Sequence, residues 1–212
     1  MLEGGVPADV PSPIDLRHMP DARDWASTAL SKRPGRPEFF ASFERALRQG
    51  TPARRRRVLE LGSGPGFLAQ HLLQALPELD YVALDFSPAM HSLARERLGD
   101  LSQRVQFIER SFKDPDWAQG LGSFDHVLTH QAVHELRHKR YAPALHRQVM
   151  ALLKPGGDYL VCDHWAGAGG MSNDQLYMTV EEQVAALREA GFGIVEPVLI
   201  KGGLALHRAG LA

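Results

Sequence analysis

An apolar segment that runs into three alternating glycines constrains this chain more than any other feature. Residues 57–66 read Arg-Val-Leu-Glu-Leu-Gly-Ser-Gly-Pro-Gly. The apolar part predicts a buried strand, and the three glycines allow positive φ and let a ligand approach the main chain, because they have no Cβ. Pro65 is suited to the first turn of a following helix. The order of strand, glycine turn and helix predicts a nucleotide-cofactor loop.

A dinucleotide fits this loop less well than a ligand with an adenosyl group and a cationic amino-acid tail. The NAD fingerprint places a third glycine, which lets helix and strand pack closely beside the pyrophosphate, where this chain has Phe67. Glu60 lies two residues before the first glycine, where its carboxylate would repel a phosphate and attract an amine. We therefore expect neither NAD nor NADP to bind.

The loop resembles motif I of the class I S-adenosylmethionine (SAM)-dependent methyltransferases, which reads Glu/Asp-x-Gly-x-Gly-x-Gly. The resemblance implies that SAM is the cofactor and that its amino-acid end lies on the glycine turn. In this segment it assigns cofactor binding to Glu60, Gly62, Ser63, Gly64 and Gly66.

A second apolar strand ends in a carboxylate at Asp85, 19 residues after Gly66. An acidic residue at this distance from the glycine turn is placed to accept hydrogen bonds from ribose hydroxyls. The alternative is that Asp85 only helps to cap the helix that follows. Phe86 and Met90 would offer apolar surface to the adenine, although both residue types are equally suited to the core.

A third strand is predicted near 104–109 from its alternating apolar residues. In the family that the chain resembles, an aspartate that binds the adenine amino group often follows this strand. Ser111 stands at that position here, with Phe112 beside it. The resemblance thus assigns both residues to the adenine end of the cofactor site, and Asp114 is a possible substitute for the aspartate.

Two later segments agree with the same family. Phe124–Leu136 resembles motif IV, which lies near the transferred methyl group, and Leu152–His164 resembles the junction that leads into the fifth strand. Family members that methylate DNA bases or glutamine carry Asn-Pro-Pro-Tyr or Asp-Pro-Pro-Tyr after the fourth strand. This chain has Thr-His-Gln-Ala at 129–132 instead, so we expect neither activity.

The order of elements predicts an α/β fold of the three-layer α/β/α Rossmann-like type, whose seven-stranded sheet is mostly parallel with an antiparallel C-terminal hairpin strand. Strands are predicted near 55–61, 79–85, 104–109, 124–129, 158–164, 194–200 and 203–208. Helices are predicted near 66–76, 88–98, 115–119, 143–153 and 179–190.

Three regions are expected along the chain. Residues 1–20 are predicted to be a loosely ordered arm, because they are rich in glycine and proline. Residues 21–50 are predicted to form one or two helices, either a lid over the substrate pocket or helices that only pack on the sheet edge. Residues 51–212 are predicted to be the SAM-binding core.

Histidines recur every four residues at 126, 130, 134 and 138, and another ends the fifth strand at 164. A metal site is not expected, because the first two belong to a predicted strand and the four do not share one helical face. His130, His134 and His164 instead follow neighbouring strands and are the candidate catalytic residues, His130 also being assigned to the cofactor pocket. With a pKa near neutrality, one of them would act as general base on a hydroxyl or amine. The alternative is that they only line the pocket.

Composition argues against several partners. The net charge is −1, so no overall field attracts nucleic acid. Arg54–Arg57 is expected to be the solvated entry to the first strand rather than a docking patch.

No apolar run is long enough to cross a membrane, the first 20 residues lack a signal-peptide core, and Cys162 is the only cysteine. We expect a cytoplasmic protein and leave homodimer formation open.

The predicted function is transfer of a methyl group from SAM to an oxygen, nitrogen or carbon of a small-molecule acceptor. Two alternatives remain at this point: an RNA or protein methyltransferase that docks through its arginine run, and a non-catalytic protein that binds SAM or S-adenosylhomocysteine.

Overall fold

A seven-stranded sheet forms the centre of the computed structural model, which describes residues 8–49 and 55–212. The strands are β1 (Arg56–Leu61), β2 (Leu79–Asp85), β3 (Val105–Glu109), β4 (Phe124–His130), β5 (Leu153–His164), β6 (Ile194–Lys201) and β7 (Leu204–Gly210). Their order in the sheet is β3-β2-β1-β4-β5-β7-β6. The first five strands pair in parallel, whereas β7 is antiparallel to both β5 and β6. The predicted fold class is confirmed.

Helices cover both faces of the sheet. They are α1 (Met19–Lys32), α2 (Arg36–Arg48), α3 (Phe67–Ala75), α4 (Pro88–Leu98), α5 (Ala142–Leu152) and α6 (Val180–Glu189). Apolar residues of α2 and α3 form one buried cluster with the sheet, and those of α5 and α6 form a second cluster on the opposite face. Helix α1 packs on α4 through small and apolar side chains. Three layers result, with both sheet faces covered as a mostly parallel sheet requires.

Two local predictions are wrong. Residues 113–120 form turns instead of the helix predicted near 115–119, because five residues make a marginal helix and positive-φ Gly120 and Gly122 follow them. Trp117 is nevertheless fully buried and anchors these turns in the core. Pro65 does not open the first core helix, because α3 begins at Phe67 after Gly66 with φ of 79°.

The described part of the N-terminal segment lies across the carboxyl edge of the sheet. The backbone N–H of Val10 donates to the Arg137 carbonyl at 2.8 Å, and the Arg137 side chain donates to the carbonyls of Val10 and Pro11 at 2.9 and 2.6 Å. The Ser87 hydroxyl donates to the Leu16 carbonyl at 2.5 Å. These contacts bring residues 10–16 beside the ends of β2 and β4.

Part of the predicted organisation lies outside the described residues, namely 1–7 and 50–54, which include Arg54. The boundaries of the arm, the lid and the core stay predictions. In the described part of the chain, none of the helices combines the length and apolar character that a membrane crossing requires.

The start of α6 offers a test of the local rules behind the fold. Thr179 accepts from the Glu182 backbone N–H at 3.2 Å, and the Glu182 carboxylate accepts from the Thr179 backbone N–H at 2.9 Å. We expect Thr179→Ala to lower the free energy of unfolding by about 1 kcal/mol, since it leaves a helix N–H without its acceptor. The matched control is Ser31→Ala, which removes an exposed hydroxyl at the end of α1. Its free energy of unfolding in urea should differ from that of the parent protein by less than about 0.5 kcal/mol. Equal losses in both variants would contradict the capping argument.

Candidate active site

A cleft opens at the carboxyl edge of the sheet, where the chain order reverses between β1 and β4. The ends of parallel strands diverge at such a point and leave a crevice in which α/β proteins bind ligands. The cleft encloses about 1180 Å³, including its open mouth. Its walls come from α1 and the start of α2, from the glycine turn after β1, and from residues at the ends of β2, β4 and β5.

The three glycines of the turn have different roles, although all have positive φ. A Cβ on Gly62 would lie 2.4 Å from the Ala132 Cβ, and one on Gly66 would lie 3.2 Å from the Ala94 Cβ. Both positions are therefore needed for close packing within the protein. Gly64 has no heavy atom within 4 Å of the position of a Cβ, and it lines the cleft. Gly62 and Gly64 both line the cleft, and only at Gly64 is the space of a Cβ left open.

Asp85 links the end of β2 to the glycine turn. Its side chain is buried, and it accepts from the Gly64 N–H at 2.8 Å and from the Ser87 N–H at 2.9 Å. Burial raises the pKa of this carboxyl to about 6, against the opposite effect of the two backbone donors. Each oxygen keeps a lone-pair site for a further donor from the cleft.

Glu60 is a second buried carboxyl on the cleft wall. It accepts a hydrogen bond from the Tyr81 hydroxyl at 2.7 Å. Burial raises its pKa to about 8, although the Tyr81 hydrogen bond works against this shift. It forms no ion pair with any described residue, so the protein itself does not neutralise a charge at Glu60.

The residues predicted to surround the adenine divide between two adjoining cavities. Phe86, Met90 and Phe112 line the cleft, and Phe86 and Phe112 also line a neighbouring cavity that includes Ser111. Asp114, the possible substitute for the missing aspartate, is exposed and lines neither cavity. The structure therefore does not bring Asp114 to the other candidate adenine residues, because the turn after β3 directs it to the surface.

Ser63 is brought to the same cleft by the glycine turn. Its hydroxyl is buried and forms no hydrogen bond with the described residues. A buried hydroxyl without a partner is costly, so its position on the cleft wall favours a polar ligand group nearby.

His130 stands at the end of β4 among aromatic rings. Its ring centroid lies 6.5, 5.2 and 6.1 Å from those of Phe39, Phe40 and Phe43. Burial and the nearby Arg36 lower its pKa to about 3. His130 is therefore neutral at pH 7 and unsuited to hold a proton.

His134 has the opposite environment. Its Nδ1 donates to the Asp163 Oδ1 at 2.7 Å, and its backbone N–H donates to the Asp163 Oδ2 at 2.8 Å. Its Nε2 lies 3.4 Å from the Glu135 Oε1. Burial alone would lower the pKa of His134, but the two carboxylates raise it to about 10. His134 is thus a cationic hydrogen-bond donor at neutral pH.

His164 is joined to two residues that the sequence reasoning missed. Its Nε2 lies 3.0 Å from the Gln131 Nε2, and the Gln131 Oε1 accepts from the Arg36 Nε at 2.9 Å and also from the Arg36 Nη2. Burial lowers the pKa of His164 to about 4. Arg36 is only 4% exposed and forms no ion pair with any described residue, and its burial lowers its pKa to about 10.

The structure thus brings His130, His134 and His164 together on one cleft wall, as predicted. The expectation of a pKa near neutrality is wrong for all three, because their different neighbours decide the protonation state. Among the described residues, no group of three histidine, cysteine, aspartate or glutamate side chains is arranged to hold a metal ion.

Comparison with known proteins bears on the family. A family model described as a methyltransferase domain matches residues 59–159. The chain is 32% identical over 102 residues to the release factor glutamine methyltransferase of Deinococcus radiodurans, an alignment that covers 46% of this chain and 37% of that protein. The chain covers no more than 37% of the length of the first two curated relatives that it matches.

Solved structures share the fold. An O-methyltransferase family protein from Burkholderia thailandensis superposes with a TM-score of 0.73 at 23% identity, over 92% of this chain and 61% of that one. The glycopeptide N-methyltransferase MtfA, solved with SAM, gives a TM-score of 0.60 at 18% identity, over 81% of this chain and 93% of that one. Residues 59–159 thus match a methyltransferase domain, and the chain shares the fold of these methyltransferases.

Proposed function

We propose that this chain transfers a methyl group from SAM to an oxygen, nitrogen or carbon of a small-molecule acceptor. The observation that carries the proposal is the arrangement of ionisable groups in the cleft, with two carboxyl groups on one side and a guanidinium on the other. Glu60 and Asp85 lie on the strand side without a cationic partner among the described residues, whereas Arg36 lies on the helical side without a carboxylate partner. A ligand with an ammonium, a carboxylate and a ribose diol complements all three groups.

The fit assigns one part of the cofactor to each part of the cleft. Glu60 would receive the ammonium group, Asp85 the ribose hydroxyls, and Arg36 the carboxylate. The amino-acid end would lie on residues 62–66, since the glycines at 62 and 64 present main chain to the cleft. The adenine end would lie against the apolar and hydroxyl residues Phe86, Met90, Ser111 and Phe112.

The chemistry required of the protein is modest. When bound, SAM supplies a methyl group already activated on a sulfonium, so holding the acceptor in line and excluding water account for much of the rate. Trp25, Ala29 and Arg33 place α1 and the α1–α2 turn over the cleft. This arrangement supports the lid hypothesis for residues 21–50.

The proposal of a small acceptor rests on the helices over the cleft and on the short connection between β5 and α6. Residues 165–178, between β5 and α6, form a connection of turns and isolated bridges, with no separate substrate domain in that segment. The relative from Deinococcus radiodurans is named for methylating glutamine, but residues 129–132 of this chain lack the motif associated with that activity.

The histidines would contribute by position and charge. His134 would present a cationic donor toward the acceptor side, and His130 would form apolar wall. An acceptor group that must lose a proton would thus depend on its own acidity or on solvent more than on these imidazoles.

SAM binding and turnover test the proposal directly. We expect Asp85→Asn to weaken SAM binding by about 1.5–3 kcal/mol in calorimetry, since one carboxylate oxygen and its charge are lost. Asp114→Asn, an exposed change outside both cavities, is the matched control and should bind like the parent protein.

Methyl transfer is then assayed with a panel of metabolites as acceptors. NAD and NADP serve as negative controls for cofactor binding. Turnover of a small molecule supports the proposal. SAM binding without turnover on that panel would favour a non-catalytic SAM-binding protein, and turnover only on RNA or protein would favour the macromolecular alternative. Parent-like affinity in folded Asp85→Asn would contradict the site assignment.

Proton release on cofactor binding tests the role of Glu60. With its pKa raised to about 8, Glu60 is mostly protonated at pH 7 in the free protein, and a bound ammonium would favour the carboxylate. SAM binding at pH 7 should therefore release about one proton per bound SAM. The affinity for SAM should also rise as the pH increases from 6 to 7.5. Calorimetry in two buffers of different ionisation enthalpy measures this release. Glu60→Gln should abolish most of it; an unchanged release in that variant would reject the assignment.

The pH dependence of turnover tests the histidines. Because none of the three cleft histidines has a pKa near 6–7, kcat at saturating SAM should show no inflection in that range. His134→Gln should lower kcat/KM for the acceptor while SAM affinity stays within about threefold. His18→Gln, on the exposed start of α1, is the control. A fall in kcat with unit slope below pH 6–7 would instead show that one of these histidines acts as a base.

A further inference from the structure

The amide of Gln131 lies between two side chains of the cleft wall, and the chemistry of its neighbours fixes its orientation. Arginine has only donors, so the group that faces Arg36 must be the Gln131 carbonyl oxygen. The NH₂ group then faces the Nε2 of His164 at 3.0 Å. Because NH₂ is only a donor, Nε2 must carry a lone pair, and the proton of the neutral ring must be on Nδ1.

The His164 ring is kept neutral by its burial. The Gly203 carbonyl and the charge of Asp163 raise the pKa of the ring. Burial has the largest effect and lowers the pKa, and His134 and Arg33 act in the same direction. His164 is thus a neutral imidazole whose Nε2 is the basic atom.

The backbone of Gln131 is held in an unusual conformation. Its φ is 59°, a region that non-glycine residues rarely adopt, and its N–H donates to the Cys162 carbonyl at 2.7 Å. Strained residues of this kind persist where the surroundings impose them and cluster at functional sites. The conformation places the amide between the end of β4 and the end of β5.

We propose that Gln131 is a positioning residue that, anchored by Arg36, donates to the Nε2 of His164 and so holds that ring in its neutral Nδ1–H form and in one orientation on the cleft wall. The proposal rests on the proposed function, in which Arg36 receives the cofactor carboxylate and His164 lies on the acceptor side. Gln131 then joins the two halves of the site. Because Gln131 already engages the single Nε2 lone pair, a methyl acceptor would meet His164 as a neutral ring held in one orientation, instead of a ring free to rotate or change tautomer.

Nitrogen-15 NMR of histidine-labelled protein tests the tautomer without any ligand. The parent protein should show His164 with an unprotonated Nε2 and a protonated Nδ1 at pH 7. In Gln131→Glu the carboxylate still accepts from Arg36 but has no N–H for His164, so the ring should gain a proton on Nε2. Its pKa should rise by about one unit or more. Gln183→Met removes the amide bond to the His164 backbone carbonyl and leaves the ring contact intact, so it is the matched control and should titrate like the parent.

Kinetics and melting temperature separate positioning from simple structural support. Gln131→Met should lower kcat by about tenfold or more with the KM for SAM within about threefold. Gln131→Gly, which accepts positive φ without strain, should match that loss of kcat while melting at or above the temperature of Gln131→Met. Parent-like kcat in both folded variants would overturn the proposal, and so would a protonated Nε2 in the parent protein. Failure of SAM to bind while the NMR result holds would count against the proposed function alone.

Discussion

The reversal of strand order at β1 is the constraint on which the site depends. The chain builds β1, β2 and β3 outward in one direction, then returns to place β4 on the other side of β1. The crossovers between parallel strands are right-handed, and they run in opposite directions on the two sides of β1, so their helices cover opposite faces of the sheet. The chain segments that leave the carboxyl ends of β1 and β4 therefore separate, and a crevice remains between them. The glycine turn, Asp85 and Gln131 all follow strands that end at this crevice.

The crevice is electrostatically incomplete without a ligand. Carboxyl groups at Glu60 and Asp85 are buried with raised pKa values, and the Arg36 cation is buried without a counter-ion among the described residues. Burying unpaired charge destabilises a folded protein, and such arrangements are found where a ligand completes them. The same low-polarity setting drives His130 and His134 to opposite protonation states, because only His134 has carboxylates beside it.

The features that the sequence could predict are those encoded locally. Alternating apolar residues located the strands, and the glycine turn and Asp85 are recognisable within a few residues of a strand end. The Arg36–Gln131 contact joins positions 95 residues apart, and no local pattern indicates it. The histidine pKa values were also beyond reach, since burial and the Asp163 carboxylate depend on tertiary packing. The helix expected near 115–119 does not form, because five residues make a marginal helix and positive-φ glycines follow at 120 and 122.

The assignment of the cofactor to the cleft is best tested by a crystal structure of the protein with S-adenosylhomocysteine. We expect the ribose hydroxyls on Asp85, the amino group on Glu60 and the carboxylate on Arg36, each within hydrogen-bond distance. A ligand bound with its amino-acid end away from residues 62–66, or with Glu60 and Arg36 both out of contact, would contradict it.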